Sequence, residues 1–146
     1  MVATAQRQDT VGKKVVAGIV GGAIGGVVFG MLMAMMGMLA TIAGLAGSSS
    51  PVVGFVVHMV ISVFIGATFG LIFGSASGTY TRAAIWGIIY GMVWWVLGPL
   101  VIMPAMMGMG LQFGMALSGP MLMSLMGHMI YGIFTGLGFA WFARRS

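Results

Sequence analysis

From Val15 to Thr81 the chain carries no Asp, Glu, Lys or Arg, and after the single Arg82 it carries none from Ala83 to Ala143. A water-soluble domain does not go this long without charge, because about a quarter of its residues are charged. Here the charged share is 5%, and 60% of the residues are hydrophobic. Each uncharged stretch far exceeds the roughly 20 residues that cross a bilayer and is long enough for two crossings. The chain is therefore expected to be an all-α membrane protein, a bundle of four transmembrane helices.

Breaks inside the two stretches set the spans. The first helix is expected from about Val15 to Ala40, ending in the Gly/Ser-rich GLAGSSSP, and the second from about Val52 to Phe73, ending at GSASGTYTR. A third runs from about Ala83 to Met109, and a fourth, after LSGP, from about Met121 to Ala143. Pro51 and Pro120 stand at helix starts, where a missing N–H is tolerated. Lys13-Lys14 before an apolar run resembles a secretion signal, but the run to Ala40 is too long for such a core. The division is a 1–14 N-terminal segment and two hairpins, 15–81 and 82–146, in one membrane domain.

The hairpins repeat each other. Gly18 and Gly22 match Gly87 and Gly91; AMMGM at Ala34–Met38 recurs at Ala105–Met109; Pro51 matches Pro120 and His58 matches His128. The last helices read HMVISVFIGATF and HMIYGIFTGLGF. A tandem duplication of a two-helix unit explains this order. An even number of crossings per unit gives both copies one orientation, a parallel repeat about an axis along the membrane normal.

Charge orients the bundle. All six Lys and Arg residues fall in the N-terminus, the central loop or the C-terminus, which four crossings place on one side. Such an excess in short flanks marks the cytoplasmic side, so both termini are expected there, in a multi-pass protein of the plasma membrane. Arg82, Arg144 and Arg145 read as snorkelling anchors, and Trp86 and Trp141 as interfacial rings. The pI near 10.5 then reflects orientation rather than nucleic-acid binding.

Lipid gives helices no hydrophobic reason to associate, so small residues must let backbones approach. Gly18, Gly22, Gly26 and Gly30 recur every four residues on the first helix, Gly66 and Gly70 on the second, Gly132 and Gly136 on the fourth. This glycine zipper is read as helix packing. The third helix differs: Trp94 and Trp95 replace the matching Gly25 and Gly26, and Gly98-Pro99 with Pro104 are expected to kink its outer half. The indoles are expected to fill the space the glycines leave.

The chemistry available is narrow. Asp9 is the one acid, so two-carboxylate hydrolysis and a Ser/His/Asp triad are excluded, and no membrane carboxylate can carry protons. With no cysteine there is no thiolate nucleophile and no thiolate metal ligand. The chain reads as a non-enzyme. His58 and His128 each head the small-residue stripe of their helix and so face protein. As packing residues they need only a carbonyl or hydroxyl partner. As a ligand pair they would hold haem b between the second and fourth helices. With Met36 and Met107 from the methionine-rich outer halves, they would instead offer copper(I) soft thioether and imidazole ligands. The spread of the 17 methionines through the chain favours adaptable packing. Separate, structurally satisfied histidines and no cofactor are expected.

The duplicated hairpin, with its Gly-rich first helix and paired S/G-P…H-M second helices, resembles small four-span microbial integral membrane proteins. More distantly it resembles the YagU-like membrane family of unknown function. That resemblance implies membrane location and a helical bundle, and brings no ligand residue with it. The expected role is a structural or accessory membrane subunit, packing through its glycine-rich helix faces against itself or a larger complex. The alternatives are a haem- or copper-binding protein, and a small channel or uncharged-solute transporter.

Overall fold

The computed structural model describes the backbone of residues 2–145 and the side chains of residues 10–145, so the side chains of Arg7 and Asp9 lie outside the described residues. The chain is helical: α1 (Val2–Met35), a short α2 (Leu39–Ala43), α3 (Pro51–Phe73), α4 (Tyr80–Trp95), a π-helical segment (Val96–Ile102), α5 (Met103–Met106) and α6 (Gly119–Ala143). Four helices are long and apolar enough to cross a membrane: Thr10–Met35, Pro51–Phe73, Tyr80–Met106 and Gly119–Ala143. Proline opens α3 and stands in the first turn of α6. Thr79 caps α4, its hydroxyl accepting from the Arg82 N–H at 3.3 Å.

The bundle is built inside out relative to a soluble one. On α3 the buried positions include Gly54, His58, Ser62, Gly66 and Gly70, while Val52, Val56, Val60, Phe64 and Ile72 are exposed. Small and polar groups, together with Ile65 and Phe69, face protein, and most of the large apolar ones face outward. Burying apolar area from water cannot drive such an arrangement; close contact between backbones can.

Helix order across the bundle is α3–α1–α6–α4. A methyl group at Gly18 would run into the carbonyl of Gly66, and one at Gly22 into that of Ser62. One turn away on α1, Gly21 and Gly25 meet the α6 backbone at Thr135 and Tyr131. Helix α1 thus carries two glycine faces, one for α3 and one for α6. Gly132 and Gly136 in turn lie against Gly87 and Ala83 of α4. Neighbouring helices run antiparallel, so the N-terminal side of α1, the 74–79 turn and the end of α6 share one end of the bundle. There Lys14 Nζ donates to Ser75 Oγ at 2.6 Å, and the Arg144 guanidinium lies 5.1 Å from the Tyr80 ring centre.

Helices α3 and α4 approach differently, through rings. Trp86, Tyr90 and Trp94 line the α4 face toward α3; Trp86 stacks on Phe73 at 5.0 Å and Tyr90 lies 5.5 Å from Phe69. Tyr90 also donates to the Ile65 carbonyl at 3.2 Å. The aromatic side chains wedge these two helices apart where glycine closes α1 onto α6. Of the expected pair of indoles, Trp94 packs against this core, whereas Trp95 turns to α6 and donates to the Met121 carbonyl at 3.0 Å.

Two expected spans end early. The first helix was expected to reach Ala40 but stops at Met35, and the third breaks into α4, the π-helical segment and α5, stopping at Met106. Both stops are the AMMGM strings. Gly37 and Gly108 adopt left-handed φ values of 69° and 70°. The Met38 N–H donates to the Met33 carbonyl at 2.9 Å and that of Gly37 to Ala34 at 3.1 Å; Met109 to Pro104 (2.8 Å) and Gly108 to Ala105 (3.1 Å) repeat the pattern. These are Schellman caps, which close the orphan carbonyls of a helix end with a left-handed glycine. The π-helical segment forms around Pro99, whose nitrogen has no hydrogen to give the ladder.

Candidate functional site

The histidines are held by the packing just described. α3 lays one face along Gly18, Gly22, Gly26 and Gly30, and His58 points from that face into α1, only 7% exposed. Its Nε2 lies 2.9 Å from the Gly26 carbonyl oxygen, which can only accept, so Nε2 carries the proton and donates. The Ser62 hydroxyl, one turn along α3, lies 3.4 Å from the same nitrogen. His128 is anchored within its own helix: Nδ1 donates to the Ser124 carbonyl at 2.8 Å, with the Ser124 hydroxyl at 3.5 Å. That leaves Nε2 of His128 as an acceptor on the side of Gly98 and the π-helical segment.

Between the imidazoles stands Phe29 of α1. Its ring lies edge-on to both, 5.4 Å from His58 and 5.0 Å from His128 between centroids. The phenyl ring rests on Gly127, where any side chain would collide with it. Below this layer Tyr131 donates across the bundle to the Ser62 carbonyl at 2.7 Å, tying α6 to α3 past α1.

A shared metal or haem iron needs both imidazoles to turn a nitrogen toward one point. Here the two protonated nitrogens face different carbonyls, and a phenyl ring occupies the space between the rings. Met36 and Met107 lie in the two cap turns, 37% and 41% exposed. Among the described residues no group of three or more His, Cys, Asp or Glu side chains is placed to hold a metal. The histidines are brought into one layer, around a ring.

Phe29, Ser124 and Tyr131 were not singled out in the sequence. Ser124 and Tyr131 lie one turn either side of His128, so their face was legible. Phe29 had no polar signal and falls between the two glycine faces of α1. The serine–histidine order is also reversed between the hairpins: His58 precedes Ser62 by four residues, and Ser124 precedes His128 by four.

No protein-family model, curated protein or solved structure matches this chain.

Proposed function

We propose that the chain is a non-enzymatic structural or accessory subunit of the plasma membrane, with both termini in the cytoplasm. The observation that carries this reading is the filled interior. Backbones meet at the glycines, and the layer that holds both histidines is closed by Phe29. Such a core favours a scaffold over a conduit. Because the glycine faces are used within the chain, a partner would contact the exposed apolar faces instead, such as Val56, Val60 and Phe64 of α3.

Cysteine-specific crosslinking in intact membranes tests the subunit reading, since the chain has no native cysteine. Single cysteines at Val60 and Phe64 should give a discrete product of constant stoichiometry. Scattered products, together with solute flux through reconstituted liposomes, would replace this reading with the transporter one.

The proposed orientation is supported by the basic end. Lys13, Lys14, Arg82, Arg144 and Arg145 belong to the end formed by the start of the α1 span, the 74–82 region and the end of α6, as the positive-inside rule requires of a cytoplasmic face. An impermeant thiol reagent on intact cells should label cysteine at Ser49 and Gly114 but not at Gly78. Labelling of Gly78 alone would invert the assignment.

We also read the hairpins as copies of one unit. The support is that both AMMGM strings make the same cap with the same hydrogen-bond pattern.

A further inference from the structure

We propose that the basic end of the bundle holds a binding site for a phosphate-type anion, in the cavity between α1, the 74–79 turn and α6. The cavity measures about 350 Å³ and is lined by Lys13, Lys14 and Arg144, with Ser77, Phe139 and Ala140 among its other walls. Lys14 and Arg144 bring two positive charges to one small cavity of a chain with a single acid, which favours an anion. Asp9, that acid, precedes Thr10 in α1, and its side chain lies outside the described residues.

The second observation is Ser77. It is 2% exposed and lines the cavity, and its hydroxyl is buried with no hydrogen-bond partner in the chain. A buried hydroxyl left unpaired costs about 1–3 kcal/mol, so a donor kept in that state points to a missing acceptor. Two of the cationic side chains are held in place. Lys14 Nζ is held by Ser75 Oγ at 2.6 Å, and the Arg144 guanidinium lies over Tyr80. Neither contact neutralises a positive charge. A phosphate oxygen among Lys13, Lys14, Arg144 and the Ser77 hydroxyl would meet charge-assisted donors throughout.

The opposite wall is apolar, made by Phe139, Ala140 and Ala143. The cavity also stands at the boundary where charged side chains give way to the uncharged spans. Cations on one wall and apolar surface on the other suit the phosphodiester headgroup of an anionic lipid; the same cations would take inorganic phosphate.

The test is the thermal stability of the purified full chain in a neutral detergent, titrated with three probes: short-chain phosphatidylglycerol, short-chain phosphatidylcholine and inorganic phosphate. A stabilisation that saturates with phosphatidylglycerol and not with phosphatidylcholine is expected, and it identifies a lipid headgroup. Saturation with inorganic phosphate at similar concentration also supports the site and identifies the free anion. Lys14→Gln should weaken the half-saturating concentration about fivefold, the size of one lysine's attraction to an anionic headgroup. Ser77→Ala is the decisive variant, because the hydroxyl makes no bond within the chain and its removal leaves the fold intact. It should weaken binding about tenfold or more, as loss of one hydrogen bond to a charged group does. No saturable effect of either anion would overturn the proposal. So would an effect shared with phosphatidylcholine, or one that Lys14→Gln and Ser77→Ala both leave unchanged.

Discussion

The phenyl ring of Phe29 stands edge-on to the imidazole of His128, 5.0 Å away between centroids, and is seated on Gly127. The same ring meets His58 at 5.4 Å, so one apolar side chain on α1 spaces the polar groups of α3 and α6. Truncating it would leave two imidazoles facing a void. Phe29→Ala should destabilise the bundle by about 3 kcal/mol, the low end for a buried phenylalanine, because lipid supplies no hydrophobic term. Phe64→Ala, at a ring 63% exposed, is the control and should change stability little. Reversible unfolding in mixed micelles measures both, and equal effects would remove Phe29 from the core.

Glycine substitutions should divide by what a methyl group meets. At Gly66 it would strike the backbone of Gly18 and Gly22, which cannot move aside without parting α1 from α3. At Gly44 the nearest atom is the end of the Met107 side chain, 3.6 Å away, which is ordinary contact. Gly66→Ala is therefore expected to cost several kcal/mol or prevent folding, while Gly44→Ala is neutral or stabilises by about 0.5 kcal/mol through reduced chain entropy. Comparable losses at both positions would mean that the α1–α3 seam is not a close contact.

The caps make a different prediction, since nothing lies within 4 Å of a methyl group placed at Gly37 or Gly108. Space is free, yet φ is positive at both. Gly37→Ala and Gly108→Ala should each cost about 1 kcal/mol from backbone conformation alone, and asparagine should restore part of that. Met36→Leu and Met107→Leu should be neutral, because the cap bonds use backbone. If the leucine variants are the damaging ones, AMMGM is a methionine site rather than a helix stop.

The four spans, the proline starts and the small-residue faces could be read from charge and spacing, because lipid permits few alternatives to a helix. The caps were missed for a physical reason: within an apolar run, Gly37 resembles the glycines that pack helices, and only the folded structure, through its φ and its open surroundings, separates it from Gly22. Register was missed as well. Overlaying the sequences aligns His58 with His128, but Gly22 faces Ser62 while its counterpart Gly91 faces His128. The second hairpin is thus packed one helical turn out of step with the first. A match in sequence does not carry register with it, because register follows whichever small residues let the backbones touch. The difference between the two hairpins was partly legible. Gly21 and Gly25 of α1 align with Tyr90 and Trp94 of α4, so one side closes on α6 and the other is wedged from α3.

The histidines give the last prediction. Were His58 and His128 halves of one ligand sphere, either substitution would destroy it and the second would add nothing. Separate anchors behave otherwise. His58 donates to the Gly26 carbonyl, an interhelical bond, while His128 donates to the Ser124 carbonyl within α6. An interhelical hydrogen bond in a membrane protein contributes about 0.6–1.7 kcal/mol, so His58→Ala should fall in or somewhat above that range once lost ring packing is added. His128→Ala removes no interhelical donor and should cost less, mainly through its contact with Phe29. The double variant should be less stable than either single one, with a departure from additivity of about 1 kcal/mol at most, transmitted through the shared phenyl ring. Unfolding of the four proteins, with absorption spectra and metal analysis of each, reads the cycle. A double variant no less stable than His58→Ala, together with a haem band or bound copper that either substitution abolishes, would replace two anchors with one site.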